Sequence, residues 1–115
     1  MQSINVVFHI NEFEKWPQVI SNLQNTLPVV NMESSNIAVL VNGAAVAVFD
    51  GSSQNDYQKE LDALNKAGAK IHVCRNSMKA QNIDLAALPD FVQEVPVGVL
   101  YLVARQSEGF AYIKP

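Results

Sequence analysis

Apolar residues along the chain switch between two periods, and the switching points mark out strands and helices. Ile4-Asn5-Val6-Val7-Phe8-His9-Ile10 is rich in branched and aromatic residues without strict alternation, which predicts a first strand covered on both faces. From Trp16 the apolar positions are Trp16, Val19, Ile20, Leu23 and Leu27, a single face of a helix. Glu12 and Glu14 stand near its start, where the helix dipole favours negative charge. Pro17 suits the first turn, whose N–H groups lack partners in any case, and Pro28 ends the helix.

The run Ile37-Ala38-Val39-Leu40-Val41 is uninterrupted and too short for a helix, as in a buried parallel strand, and Asn42 with Gly43 closes it. Ala44 to Phe49 pulls both ways, because alanine favours a helix while Val46, Val48 and Phe49 favour extended chain; a short helix is expected. Gly51-Ser52-Ser53-Gln54-Asn55 reads as a surface loop. Tyr57, Leu61, Leu64 and Ala67 then mark a helix stopped by Gly68. Lys70 to Val73 is a third strand ending at Cys74, and Asp84 caps a short helix through Leu85, Ala87 and Leu88. A fourth strand is expected at Val92 to Val95. Pro96-Val97-Gly98 opens a helix through Val99, Leu100, Leu102 and Val103, Gly109 terminates it, and Phe110 to Ile113 supplies a last strand. Strands alternating with helices through short connections predict an α/β fold of three layers, with helices on both faces of a parallel sheet.

Length and composition narrow this picture. The 115 residues suffice for one domain over 1–115, with ~70 % of the unfolded surface buried, and leave no room for two. Hydrophobic residues at 49 % and charged residues at 17 % exclude a disordered or collagen-like chain. Eight basic against eleven acidic side chains, with no basic cluster, exclude a nucleic-acid footprint. Residues 1–57 carry five acids and only Lys15, whereas residues 58–115 carry six acids and seven bases. The longest apolar stretch, Ile37 to Phe49, has 13 residues and falls short of the ~20 that cross a bilayer. With no leader pattern at Met-Gln-Ser-Ile-Asn, the expectation is a soluble cytoplasmic protein that binds neither membrane nor nucleic acid.

Cys74 is the only cysteine, so an internal disulfide and a thiolate zinc cluster within one chain are both excluded. Packing or reactivity remains. In an open parallel sheet ligands bind beyond the carboxyl ends of the strands, which here are His9 to Asn11, Asn42 with Gly43, Cys74 to Ser77, and Val95-Pro96. Asparagine and serine at such places also serve as caps and turn formers. Cys74 lies just before Asn76-Ser77, where a helix start would favour a thiolate, and Arg75 and Lys79 add positive charge. Against this, free cysteine is among the most buried residue types. His72 shares the strand face of Cys74, but Cα atoms two apart on a strand are separated by roughly 6.5 Å, a poor distance for a catalytic pair. His9 would lie nearer the thiol if the first strand were adjacent to the third.

Other chemistry lacks its motifs. G-x-G-x-x-G, G-x-x-x-x-G-K-[ST], H-E-x-x-H and G-x-S-x-G are absent, and one cysteine with two scattered histidines does not make a metal site, so no metal or cofactor is expected. Glu12 and Glu14 compensate a helix dipole rather than form an acid–base pair.

Five blocks carry a resemblance. Val-Val-Phe-His-Ile-Asn-Glu at 6–12 with Trp16, Leu-Val-Asn-Gly-Ala-Ala-Val at 40–46, Val-Cys-Arg-Asn-Ser-Met at 73–78, Val-Pro-Val-Gly-Val at 95–99 and the tail from Gln106 to Pro115 together resemble the DsrE/DsrF-like family of small sulfur-handling proteins. The resemblance spans nearly the whole chain. It implies a three-layer α/β/α domain with a parallel sheet of about five strands, assembled as a homotrimer or hexamer. In sulfur-relay members a cysteine at the end of the central strand carries sulfane sulfur as a persulfide and passes it to a partner thiol. Cys74 matches that cysteine, with Asn76 and Ser77 after it. The expectation is therefore a sulfur-binding or sulfur-relay protein acting through Cys74, with His9, Asn11, Asn42, Gly43, Asn76 and Ser77 lining the site. Its partners would be a sulfur donor and an acceptor protein or small thiol. The competing expectation is a ligand-binding or assembly module in which Cys74 is structural.

Overall fold

The computed structural model describes residues 1–51 and 55–115, so Ser52, Ser53 and Gln54 of the expected 51–55 loop lie outside the described residues. Five strands form one parallel sheet: β1 (Asn5–Ile10), β2 (Asn36–Val41), β3 (Lys70–Cys74), β4 (Val92–Val95) and β5 (Ala111–Ile113), in the order β4-β3-β2-β1-β5. Four α-helices connect them: α1 (Trp16–Thr26), α2 (Tyr57–Lys66), α3 (Arg75–Ala80) and α4 (Gly98–Ser107). The α/β class and the strand count agree with the sequence.

The register explains why the strands do not alternate in polarity. Val6, Phe8 and Ile10 of β1 align with Ile37, Val39 and Val41 of β2, and these with Ile71 and Val73 of β3. All are buried in one core with Trp16, Val19, Ile20 and Leu23 of α1, Leu61 and Leu64 of α2, and Met78 of α3. Residues of opposite parity, Val7 in β1 with Ala38 and Leu40 in β2, are equally buried against Leu102 of α4. With both faces covered, a strand gains nothing from polar positions.

The ends of the helices follow local chemistry. Pro17 sits in the first turn of α1, whose last α-helical bond is from Leu27 N–H to Leu23 O; Leu27–Val29, including Pro28, continue as one 3₁₀ turn. Gly68 follows α2 at φ +121°, with Gly68 N–H donating to Asn65 O and Ala69 N–H to Leu64 O. Those paired bonds satisfy carbonyls that a helix end would otherwise leave bare. Asn82 closes α3 in the same manner at φ 56°, an asparagine doing what glycine does after α2.

Two expectations need adjustment. The segment 43–49 is helical, but as a seven-residue 3₁₀ helix, Gly43–Phe49. Such runs seldom exceed three or four residues. Here side chains also bond its carbonyls: Trp16 Nε1 donates to Ala45 O at 3.1 Å and Gln58 Nε2 to Val48 O at 2.9 Å. Ala45, Val46, Val48 and Phe49 are fully buried there, so packing overrides the weak helix preference of valine. The helix after β3 also begins one residue earlier than expected, at Arg75, which makes Cys74 itself the residue preceding the first turn.

Leu40 is fully buried at the centre of the sheet. Leu40→Ala is expected to lower the unfolding free energy by about 2–5 kcal/mol, measured by urea denaturation, because the strands flanking it cannot close the cavity.

Candidate functional site

The carboxyl ends of β1, β2 and β3 bring six of the seven expected residues into one network. β2 lies between β1 and β3, and the turn after it reaches both ways. On one side Asn42 Oδ1 meets His9 Nε2 at 2.8 Å; on the other, Gly43 N–H donates to Ser77 Oγ at 3.0 Å. Gly43 has φ +55°, and a Cβ there would stand 3.0 Å from Asn11 O, so the tight turn requires glycine. That contact is what Asn11 contributes. Gln81 Nε2 donates to Gly43 O at 2.6 Å and holds the turn from α3.

Cys74 is 6 % exposed, at the junction of β3 and α3. Burial pushes its thiol pKa up, but the Ser77 hydroxyl and the backbone N–H groups of Gly98, Ser77 and Asn76 together pull it below its ordinary value. These donors stabilise the thiolate directly. Gly98 N–H lies 3.3 Å from Sγ. As the first residue of α4, Gly98 has an N–H with no partner inside its own helix. A Cβ at Gly98 would lie 3.1 Å from Cys74 Cβ and 3.2 Å from Leu40 Cδ2. Glycine is therefore the residue that lets the start of α4 descend onto the sulfur.

Expected positive charge does not do this work. Arg75 Nε and Nη2 donate to Glu94 Oε1 at 3.0 and 2.8 Å, which commits that guanidinium to β4. Lys79 is exposed, and neither residue contributes to the shift of the thiol. Asn76 is likewise exposed and offers its backbone N–H rather than its side chain.

His9 is not adjacent to the thiol. With β2 between β1 and β3, the row His9–Leu40–His72 puts the His9 strand about 10 Å from the Cys74 strand at ~4.8 Å per step. Its partners are Asn42 and Tyr112, whose hydroxyl lies 2.6 Å from Nδ1. Asn42 Oδ1 can only accept, so Nε2 carries a proton; when the imidazole is neutral, Nδ1 accepts from the Tyr112 hydroxyl. Burial lowers its pKa, more than the Asn42 bond raises it, and the Lys114 charge lowers it further. His72 faces α4, 4.7 Å from the Tyr101 ring, and its pKa is also lowered, by burial first and then by Arg105 and Lys70.

Gln81, Gly98 and Tyr112 are the site residues that sequence reasoning missed. Gly98 carried a signal, a Pro-Val-Gly helix opening immediately after a strand. Tyr112 carried none, because its place depends on β5 pairing with β1. Among the described residues no group of three or more His, Cys, Asp or Glu side chains is arranged to hold a metal ion.

Two outcomes follow from these environments. Ser77→Ala and Gly98→Ala are each expected to raise the Cys74 pKa and slow alkylation at neutral pH, read from thiolate absorbance against pH; Gly98→Ala also costs about 1–3 kcal/mol through overpacking. Both histidines are held below their ordinary 6.5, so the unfolded chain binds more protons as pH falls. Their stabilisation is complete above pH 6.5 and is lost as pH drops below it, so the urea midpoint should fall on acidification and fall less in His9→Gln.

The family model described as DsrE/DsrF-like matches residues 20–115. No curated protein matches the sequence. Among solved structures, MTH1491 from Methanobacterium thermoautotrophicum, a protein of unknown function, is similar at 33 % identity, over 98 % of this chain and 100 % of that one, with a TM-score of 0.86. BT1422 from Bacteroides thetaiotaomicron shares the fold at 13 % identity and TM-score 0.75, covering 96 % and 94 % of the two chains. The ychN protein of E. coli shares it at 15 % identity and TM-score 0.65, over the full length of both. No helix among the described residues is long and apolar enough to cross a membrane. With the family match and the 33 % identical relative both extending over most of its length, this chain belongs to the DsrE/DsrF-like family.

Proposed function

We propose that the protein is a sulfur carrier in which Cys74 holds sulfane sulfur as a persulfide. The supporting observation is the donor set around Sγ, which combines the Gly98 N–H at 3.3 Å with the Ser77 hydroxyl and the amides of Asn76 and Ser77. A persulfide ionises readily and places negative charge on its outer sulfur. Donors that favour a thiolate suit both the attacking form and the product.

The transfer balances without an oxidant. The Cys74 thiolate attacks the outer sulfur of a donor persulfide, the S–S bond of the donor breaks, and the donor leaves as a thiolate. A new S–S bond now joins Cys74 to the transferred sulfur. In the second half, an acceptor thiolate attacks that outer sulfur and Cys74 departs as thiolate. Cys74 is the only cysteine, so the acceptor thiol belongs to another protein or a small molecule. A reducing compartment such as the cytoplasm keeps the thiol available.

Val99, Leu100 and Val103 on α4 are 60, 64 and 54 % exposed. Such a run of bare apolar side chains on the helix that covers Cys74 supports self-association, as a trimer or hexamer, through this face. A second reading, in which Cys74 is only packing, draws on its burial at 6 % exposure.

After incubation with a small-molecule persulfide, intact-mass spectrometry should show a gain of one sulfur atom that disappears in Cys74→Ala and on adding a thiol acceptor. A thiol that takes neither sulfur nor alkylating agent until the chain is unfolded would falsify the carrier and establish the packing role. By gel filtration the protein should run above the monomer mass and Leu100→Asp should shift it down; elution of the parent as a monomer would count against the assembly.

A further inference from the structure

Beneath the second half of α4, on the sheet face that also bears Cys74, lies a cavity of about 200 Å³ that the sulfur chemistry does not use. Lys70 and His72 of β3 and Gln93 of β4 line it from the sheet, Tyr101 and Arg105 from α4, and Phe110 from the chain beyond. Its charge is one-sided. Lys70 and Arg105 are cationic and His72 can become so, while the nearby carboxylate, Glu108, is already paired with Arg105 Nη2 at 2.6 Å.

Arg105 is held as a binding group rather than a free surface charge. Its guanidinium lies 5.0 Å from the centre of the Tyr101 ring and 5.8 Å from that of Phe110, and Glu108 fixes one of its nitrogens. Its Nε is nevertheless buried with no hydrogen-bond partner in the protein, and so is His72 Nδ1. An unpaired buried polar group costs about 1–3 kcal/mol, and both of these nitrogens belong to residues that line this one cavity. The volume is below the ~300–1,000 Å³ of pockets for drug-sized ligands, which limits the occupant to a small molecule. An arginine fork beside a lysine and a histidine suits an anion with several oxygens at one centre.

We infer that this cavity binds a small oxyanion of phosphate or sulfate type, held by Arg105, Lys70 and His72 with Gln93 as a neutral donor. The site stands apart from Cys74 and does not depend on whether that thiol carries sulfur. Charged and titratable groups facing His72 are Lys70 on its own strand, Arg105 and Tyr101 from α4 with Glu108 behind Arg105, and the Cys74 thiol two residues on. The cations among them disfavour the imidazolium and a bound anion favours it, so affinity should rise as pH falls through the His72 titration.

The test is a titration of the isotopically labelled full chain with inorganic sulfate and, separately, inorganic phosphate, followed by NMR. Saturable shifts at Lys70, His72 and Arg105 are expected, with the His72 ring titrating at higher pH in sulfate than in chloride of equal ionic strength. Arg105→Gln should weaken binding roughly tenfold or more and Lys70→Gln several-fold, as the loss of a charge-assisted hydrogen bond requires. If Arg105→Gln does not fold, the exposed Lys70→Gln decides. Shifts that grow without saturation for both anions, or variants that bind as tightly as the parent, would overturn the site; a response to phosphate alone or sulfate alone supports it and identifies the preferred oxyanion.

Discussion

Burial of β2 on both faces is the constraint on which the rest of the structure depends. Ile37, Val39 and Val41 press one way into the core with α1 and α2, and Ala38 and Leu40 press the other way under α4. A strand with no polar side can only sit in the middle of the sheet, flanked by partners and roofed twice. Once β2 is central, the turn that follows it emerges between the ends of β1 and β3. Asn42 and Gly43 then serve both neighbours, the first through His9 and the second through Ser77.

The same arrangement accounts for the state of the thiol. Cys74 is buried enough for desolvation to oppose ionisation, and the nearest guanidinium is committed to Glu94. What overcomes burial is a short-range set of N–H and O–H donors. Fixed dipoles have an advantage over mobile lysines here, since they need no reorganisation and are less screened by salt. Gly43 N–H donating to Ser77 Oγ orients that hydroxyl, whose own proton points toward Sγ.

Much of this was legible in the sequence, and the limits are instructive. Ile37 to Val41 announced a doubly buried strand because an unbroken apolar run has few other uses at that length. Cys74, Asn42, Gly43 and Ser77 fell at strand ends, where an open parallel sheet concentrates its loops. Strand order was not legible: nothing local says that β5 pairs with β1, so Tyr112 could not be linked to His9, nor His9 separated from Cys74. Gly98 carried a helix-opening signal, but its approach to the sulfur depends on how far α4 descends onto Leu40. The 43–49 segment was ambiguous for a physical reason, since its carbonyls are bonded by side chains of other elements, Trp16 from α1 and Gln58 from α2.

The two edges of the sheet carry a consequence of their own. β5 is three residues long, all exposed, and runs into Lys114 and Pro115; β4 is four residues long and presents Gln93 and Glu94. Short strands ended by a lysine and a proline, or bearing a carboxylate, are poor templates for another strand. The edges of the sheet thus offer little to a second strand, so crowding does not favour growth into continuous β-ribbons.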